Sequence, residues 1–243
     1  MSSQKSFQAI LGKFTLGLEV LKGVARYNPT KDILKIAALE NLKTDAETKN
    51  SNAVTTGNLL KGLRNNRSLI AFRTKESDVN CIENLIRNIA SYLKAEIGSK
   101  NPAYSKVESI LKRIAPPHDP KEEPKEGEEP KKTISSSEKS YNSLVGFGND
   151  VHTVIAELGA AYNPANVNIA AAGFKAKVDA LAALNVAIVK AETDYSAAVS
   201  ERDNVYNGDA GINTVIPQIK DYLASFEGGK KNPDYLTFYN AVK

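Results

Sequence analysis

Tyr27-Asn28-Pro29 returns 135 residues later as Tyr162-Asn163-Pro164, and the expected architecture follows from that echo. Arg67 and Arg202 keep the same spacing, so the stretch between carries no net insertion. Further on, Ile82, Ile86, Ile89, Tyr92 and Leu93 match Ile212, Ile216, Ile219, Tyr222 and Leu223 at an offset of 130. Asn101-Pro102-Ala103-Tyr104 then matches Asn232-Pro233-Asp234-Tyr235 at 131. Repetition on this scale outranks any local signal. It predicts two similar units, residues 1–114 and 140–243, separated by residues 115–139. That middle stretch is rich in Pro, Glu, Lys and Ser and has almost nothing to bury, so it reads as a solvated, disordered tether.

Both units read as all-α. In the second, Leu181, Leu184, Ile188, Tyr195, Val199, Arg202 and Tyr206 recur at steps of three, four and seven, the seam of a helix packed along its length in coiled-coil fashion. No proline interrupts Ala165 to Tyr206, and alanine, the best helix former, is abundant there. The counterpart from Thr30 to Arg73 also lacks proline, but its polar centre holds Gly57. One long helix is expected in each unit, with Ser51–Asn58 the place where the first could break. A shorter helix precedes each long one: Phe7, Ile10, Leu11, Phe14, Leu18, Leu21 and Val24 trace one face, and Leu144, Phe147, Val151, Val154, Ile155 and Leu158 the other.

The Asn-Pro pairs read as punctuation. Proline drives the residue before it out of helical dihedrals, and asparagine can cap the next helix with proline at its first position. Asn28-Pro29, Asn163-Pro164, Asn101-Pro102 and Asn232-Pro233 are all expected to work this way. A medium helix (about 78–97 and 211–226) and a short terminal one complete each unit.

A helix of about 42 residues is about 63 Å long, and the two flanking helices add up to about 57 Å end to end. Each unit would therefore be a rod two helices thick, unable to enclose a core alone. Two rods side by side form an elongated four-helix cross-section with pseudo-twofold symmetry. Two separate bundles, each closed by its own fold-back or by a second copy of the chain, are the alternative.

The net charge of +4 hides an asymmetry: residues 1–114 carry 19 Lys and Arg against 10 Asp and Glu, and residues 141–243 carry 8 against 11. The single Cys81 excludes an intramolecular disulfide framework. Residues 1–21 lack a secretory pattern, and no stretch nears the roughly 20 apolar residues of a membrane span, so a cytoplasmic protein away from the membrane is expected.

Catalytic patterns are few. His118 and His152 are not spaced as metal ligands on one helical face, and no phosphate loop, GxSxG or CxxC motif occurs. Gly146-Phe147-Gly148 lies in a helical pattern and follows no strand. Neither enzyme activity, metal nor cofactor is expected. Arg67 and Arg202, in register with the seam, should lay their stems in the bundle and pair their guanidinium groups with a carboxylate or helix end. Lys61, Arg64, Arg67, Arg73 and Lys75 are the candidate polyanion site, a basic stripe able to track phosphates but without aromatics for base stacking. Tyr92, Tyr104, Tyr222, Tyr235 and Tyr239 are the candidate interaction patch, or else docking residues with the hydroxyl at the surface. The leading expectation is a helical scaffold, assembly subunit or adaptor that binds a protein partner or itself. A nucleic-acid or polyanion binder is the second, and an enzyme or ligand carrier with a cavity between the rods the third.

Overall fold

The structure is a computed structural model that describes residues 4–72, 79–114 and 140–243. The expected tether, Arg73 and Lys75 lie outside the described residues. Within them the chain is all-helical, with eight α-helices: α1 (Gln4–Lys22), α2 (Ile36–Ala71), α3 (Ile82–Tyr92), α4 (Pro102–Ile114), α5 (Tyr141–Glu157), α6 (Ala171–Asn207), α7 (Ile212–Ala224) and α8 (Pro233–Ala241). Short 3-10 turns occupy Asp32–Leu34, Gly159–Ala161 and Gly229–Lys231, and a π-helical turn, Leu93–Ile97, extends α3.

Two Asn-Pro pairs cap helices. Asn101 Oδ1 accepts the Ala103 N–H at 2.9 Å and Asn232 Oδ1 the Asp234 N–H at 2.9 Å, with Pro102 and Pro233 opening α4 and α8. The other two do not cap anything, which corrects the expectation for Asn28 and Asn163. After Pro29 the chain first makes the 3-10 turn, and α2 begins only at Ile36; after Pro164, α6 begins only at Ala171. A tyrosine closes each of these entrances instead. Tyr27 donates its hydroxyl to the Leu34 carbonyl at 2.7 Å, and Tyr162 donates to the Ile169 carbonyl at 2.6 Å. A buried hydroxyl aimed at a loop carbonyl satisfies both groups and fixes seven residues of irregular backbone.

The polar centre of α2 stays helical. The Thr44, Thr48 and Thr56 hydroxyls bond carbonyls one turn back, while Ala46, Asn50, Ala53 and Leu60 turn inward. Gly57 is a packing residue there: a Cβ would stand 3.0 Å from the Tyr195 ring. A glycine costs the helix about 1 kcal/mol against alanine, and close ring contact offsets that cost.

The chain divides into two compact units, Met1–Leu60 with Lys190–Lys243, and Lys61–Val189. Each takes helices from both sequence halves. Unit 1 holds α1, α7, α8, the first part of α2 and the last part of α6, around a core that includes Phe7, Phe14, Leu18, Leu39, Tyr206 and Ile219. Unit 2 holds α3, α4, α5 and the remaining parts of α2 and α6, around Ile82, Ile86, Leu93, Phe147, Phe174 and Val178.

Candidate functional site

In unit 1 the loop closed by Tyr27 meets α7. The Tyr27 and Tyr222 rings stand edge to face, centroids 5.3 Å apart at 89°, and the Asn28 N–H donates to the Tyr222 hydroxyl at 3.2 Å. In unit 2 the same geometry recurs at matched positions: Tyr162 and Tyr92 lie 5.1 Å apart at 82°, and the Asn163 N–H donates to the Tyr92 hydroxyl at 3.3 Å. Burial pushes the Tyr27 and Tyr162 phenols well above their ordinary value, with the neighbouring tyrosine adding to the effect.

The candidate tyrosine patch is therefore spread over different jobs. The Tyr92 and Tyr222 hydroxyls each accept a loop amide. Tyr104 donates to Glu108 Oε1 on its own helix at 3.1 Å. Tyr235 and Tyr239 stack, centroids 6.0 Å apart, with Lys220 Nζ 4.8 Å from the Tyr239 ring centre. Of these five tyrosines Tyr239 alone is exposed, on the same helix as the exposed Leu236.

Arg202 and Arg67 also repeat one another, though not as expected. Arg202, 7% exposed, lies over the Phe7 ring at 4.4 Å, and the half-buried Arg67 over the Tyr141 ring at 3.9 Å. Among the described residues neither pairs with a carboxylate, and the buried Nε of each has no acceptor. A flat, weakly hydrated guanidinium can spend its charge on a ring face, which replaces the expected ion pair. Beside Arg202, Asn50 Nδ2 donates to the Tyr206 hydroxyl at 2.7 Å and to Gln8 Oε1 at 3.3 Å. Burial raises the Tyr206 phenol, partly offset by the Asn50 hydrogen bond and the Arg202 charge.

Of the candidate polyanion site, Lys61 and Arg64 are exposed on one stripe of α2, while Arg67 turns to Tyr141.

Sequence reasoning missed two features. One is an open groove of about 480 Å³ in unit 2 between α4 and α5, lined by Ser105, Lys106, Ser109, Ile110, Asp150 and Val154. Its polar members read as ordinary solvent-facing positions, and nothing in their spacing separates them from such. The other is on α6, where Val186 and Val189 are 73% and 64% exposed. Here a signal existed: both valines fall off the stripe through Leu181, Leu184 and Ile188. Among the described residues no group of His, Cys, Asp or Glu is arranged to hold a metal ion, and no helix is long and apolar enough to cross a membrane.

Comparison of the chain with protein-family models, with curated proteins and with solved structures found no match.

Proposed function

We propose that the protein is a non-enzymatic helical scaffold or assembly subunit, built from two duplicated halves related by a pseudo-twofold, that binds through the faces of its long helices. The observation that carries this reading is the pair Val186 and Val189, three residues apart on α6 and largely exposed. Residues three apart on a helix share a face. Fully burying a valine is worth about 1.5 kcal/mol or more, so a covering partner would gain from both. The duplicated-halves element is supported by the matched contacts Tyr27–Tyr222 and Tyr92–Tyr162, and by the matched Arg202 and Arg67, each laid over an aromatic ring. A lone, buried Cys81 suits a reducing cytoplasm.

Light scattering over a range of protein concentrations tests the reading. A mass that rises with concentration, and returns to that of one chain in Val186→Asp/Val189→Asp, supports it. A constant mass, together with no partner lost on the double substitution, removes it.

A second reading, polyanion binding, rests on the exposed Lys61 and Arg64. It requires an affinity for single-stranded nucleic acid that falls steeply with salt and weakens in Arg64→Ala. Salt-insensitive binding would sink it.

A further inference from the structure

Each compact unit is closed by contacts that run from residues 1–114 to residues 140–243. In unit 1, Arg26 holds Asp234 Oδ2 through Nε at 3.1 Å and Nη2 at 2.9 Å, Lys31 Nζ donates to Gln218 Oε1 at 2.6 Å, and Lys49 pairs with Glu201 at 2.9 Å. The Tyr27–Tyr222 and Arg202–Phe7 contacts join the same two segments. In unit 2, Tyr92–Tyr162, Arg67–Tyr141 and Arg113–Phe147 do so. A protein held in this way contains an interface between two segments of its own chain, and nothing in the contacts requires both segments to come from one molecule.

We propose that residues 1–114 recognise residues 140–243 of a second copy of the chain, giving an exchanged dimer in which each compact unit is assembled from two molecules. This names the partner for the assembly role proposed above and rests on that role, but it does not use the α6 valines. Exchange reproduces contacts that already exist, so it needs no new surface.

The pairing has a polarity that the structure explains. Phe14, Leu18 and Leu21 of α1 align with Phe147, Val151 and Val154 of α5 at an offset of 133, two short of the 135 that Tyr27 and Tyr162 keep, which sets Gly17 against Asp150. A Cβ at Gly17 would stand 2.6 Å from Val242 Cγ1 and 2.9 Å from Phe238 Cε2. A second 140–243 segment in place of 1–114 would push the Asp150 side chain into those two residues. It would also set Ala161 and Leu184 where Arg26 and Lys49 now meet Asp234 and Glu201. Pairing two 1–114 segments replaces Asp234 by Ala103 and Glu201 by Asn66, and the same ion pairs are lost. Unlike segments are therefore favoured: a pair of 140–243 segments meets a clash, and a pair of 1–114 segments lacks the ion-pair partners.

Covalent connection decides which copy is chosen. Segments joined in one chain meet at an effective concentration on the order of millimolar, so dilute chains close on themselves. Chains that fold together near that concentration exchange.

Intact chains, one batch isotopically heavy and one light, are mixed in denaturant and refolded at ~10 µM and at ~1 mM, bracketing that effective concentration. Native mass spectrometry is read directly and again after dilution. The expected result is one-chain mass in the dilute arm. In the concentrated arm a light–heavy dimer should form, persist for hours after dilution, and form equally in Val186→Asp/Val189→Asp. One-chain mass in both arms overturns the proposal. So does a dimer that falls apart promptly on dilution or is lost in the valine variant, although loss in the variant leaves the α6 reading standing. An exchanged dimer in a protein whose valine substitutions change nothing removes the α6 reading instead.

Discussion

In unit 1, α8 lies so close to α1 that Gly17 has no room for a Cβ beneath Phe238 and Val242. In unit 2, α4 and α5 leave an open groove lined in part by Asp150, the residue that the sequence alignment sets against Gly17. Yet both units close their loop entrances with the same buried tyrosine, the same edge-to-face partner and the same amide-to-hydroxyl bond. The contrast shows where such a fold is strict. A buried loop must satisfy its carbonyls and amides, and few side chains can reach them. A helix–helix rim can be closed by apolar contact or left to water and charge, because polar side chains there stay solvated.

The largest expected effect tests that contrast directly. Gly17→Asp forces a charged side chain into a closed contact and should cost about 3 kcal/mol or more in urea unfolding. Asp150→Gly at the matched place should cost only a few tenths, from helix propensity. Equal losses would break the distinction between the two rims.

Next come the arginines. Arg202→Ala should cost about 2 kcal/mol, since a nearly buried stem and its ring contact are lost. Arg67→Ala, only half-buried, should cost about half as much. Arg202→Met should be close to neutral, because the buried Nε has no acceptor to leave behind. A Met variant as damaging as the Ala variant would mean the guanidinium charge itself is needed.

The tyrosine junctions should respond alike. Tyr27→Phe and Tyr162→Phe each remove one buried hydrogen bond and should each cost about 1 kcal/mol. A difference well beyond that scatter would show that the two junctions are alike in geometry but not in energy.

The smallest effect is on the alkaline side. Both phenols are raised above the ordinary value of about 10, so the unfolded chain releases these protons first. Stability from the two groups is fully present below about pH 10 and declines as pH rises above it toward the folded values. Thermal melts from pH 8 to 11 should show this decline, shallower in the double Phe variant. A variant that falls as steeply as the parent would assign the loss to other groups.

Helix type and order were legible because hydrophobic spacing and proline placement act locally: the run from Ala165 to Tyr206 announced α6 and the Asn101 and Asn232 pairs announced α4 and α8. The entrances to α2 and α6 were not. Asn28-Pro29 resembles a cap as closely as Asn101-Pro102 does, and what separates them is a tyrosine hydroxyl arriving from one residue before and a second tyrosine arriving from across the unit. The fate of Gly57 was hidden for the same reason, since a helix breaker and a ring-packing glycine differ only in whether Tyr195 is near. Of the candidate sites, the tyrosines were visible as a set, but their division between buried junctions and the exposed Tyr239 depended on contacts far apart in sequence.

From residue order alone came the helical class, the spacing of the internal matches and the basic character of the first half, all of which depend on neighbours a few residues away or on counting. The tertiary structure decided which segments share a unit, where the arginine charges go, which rim closes and which valines are exposed. Those outcomes depend on side chains meeting across more than a hundred residues of chain, where packing and desolvation outweigh any local preference.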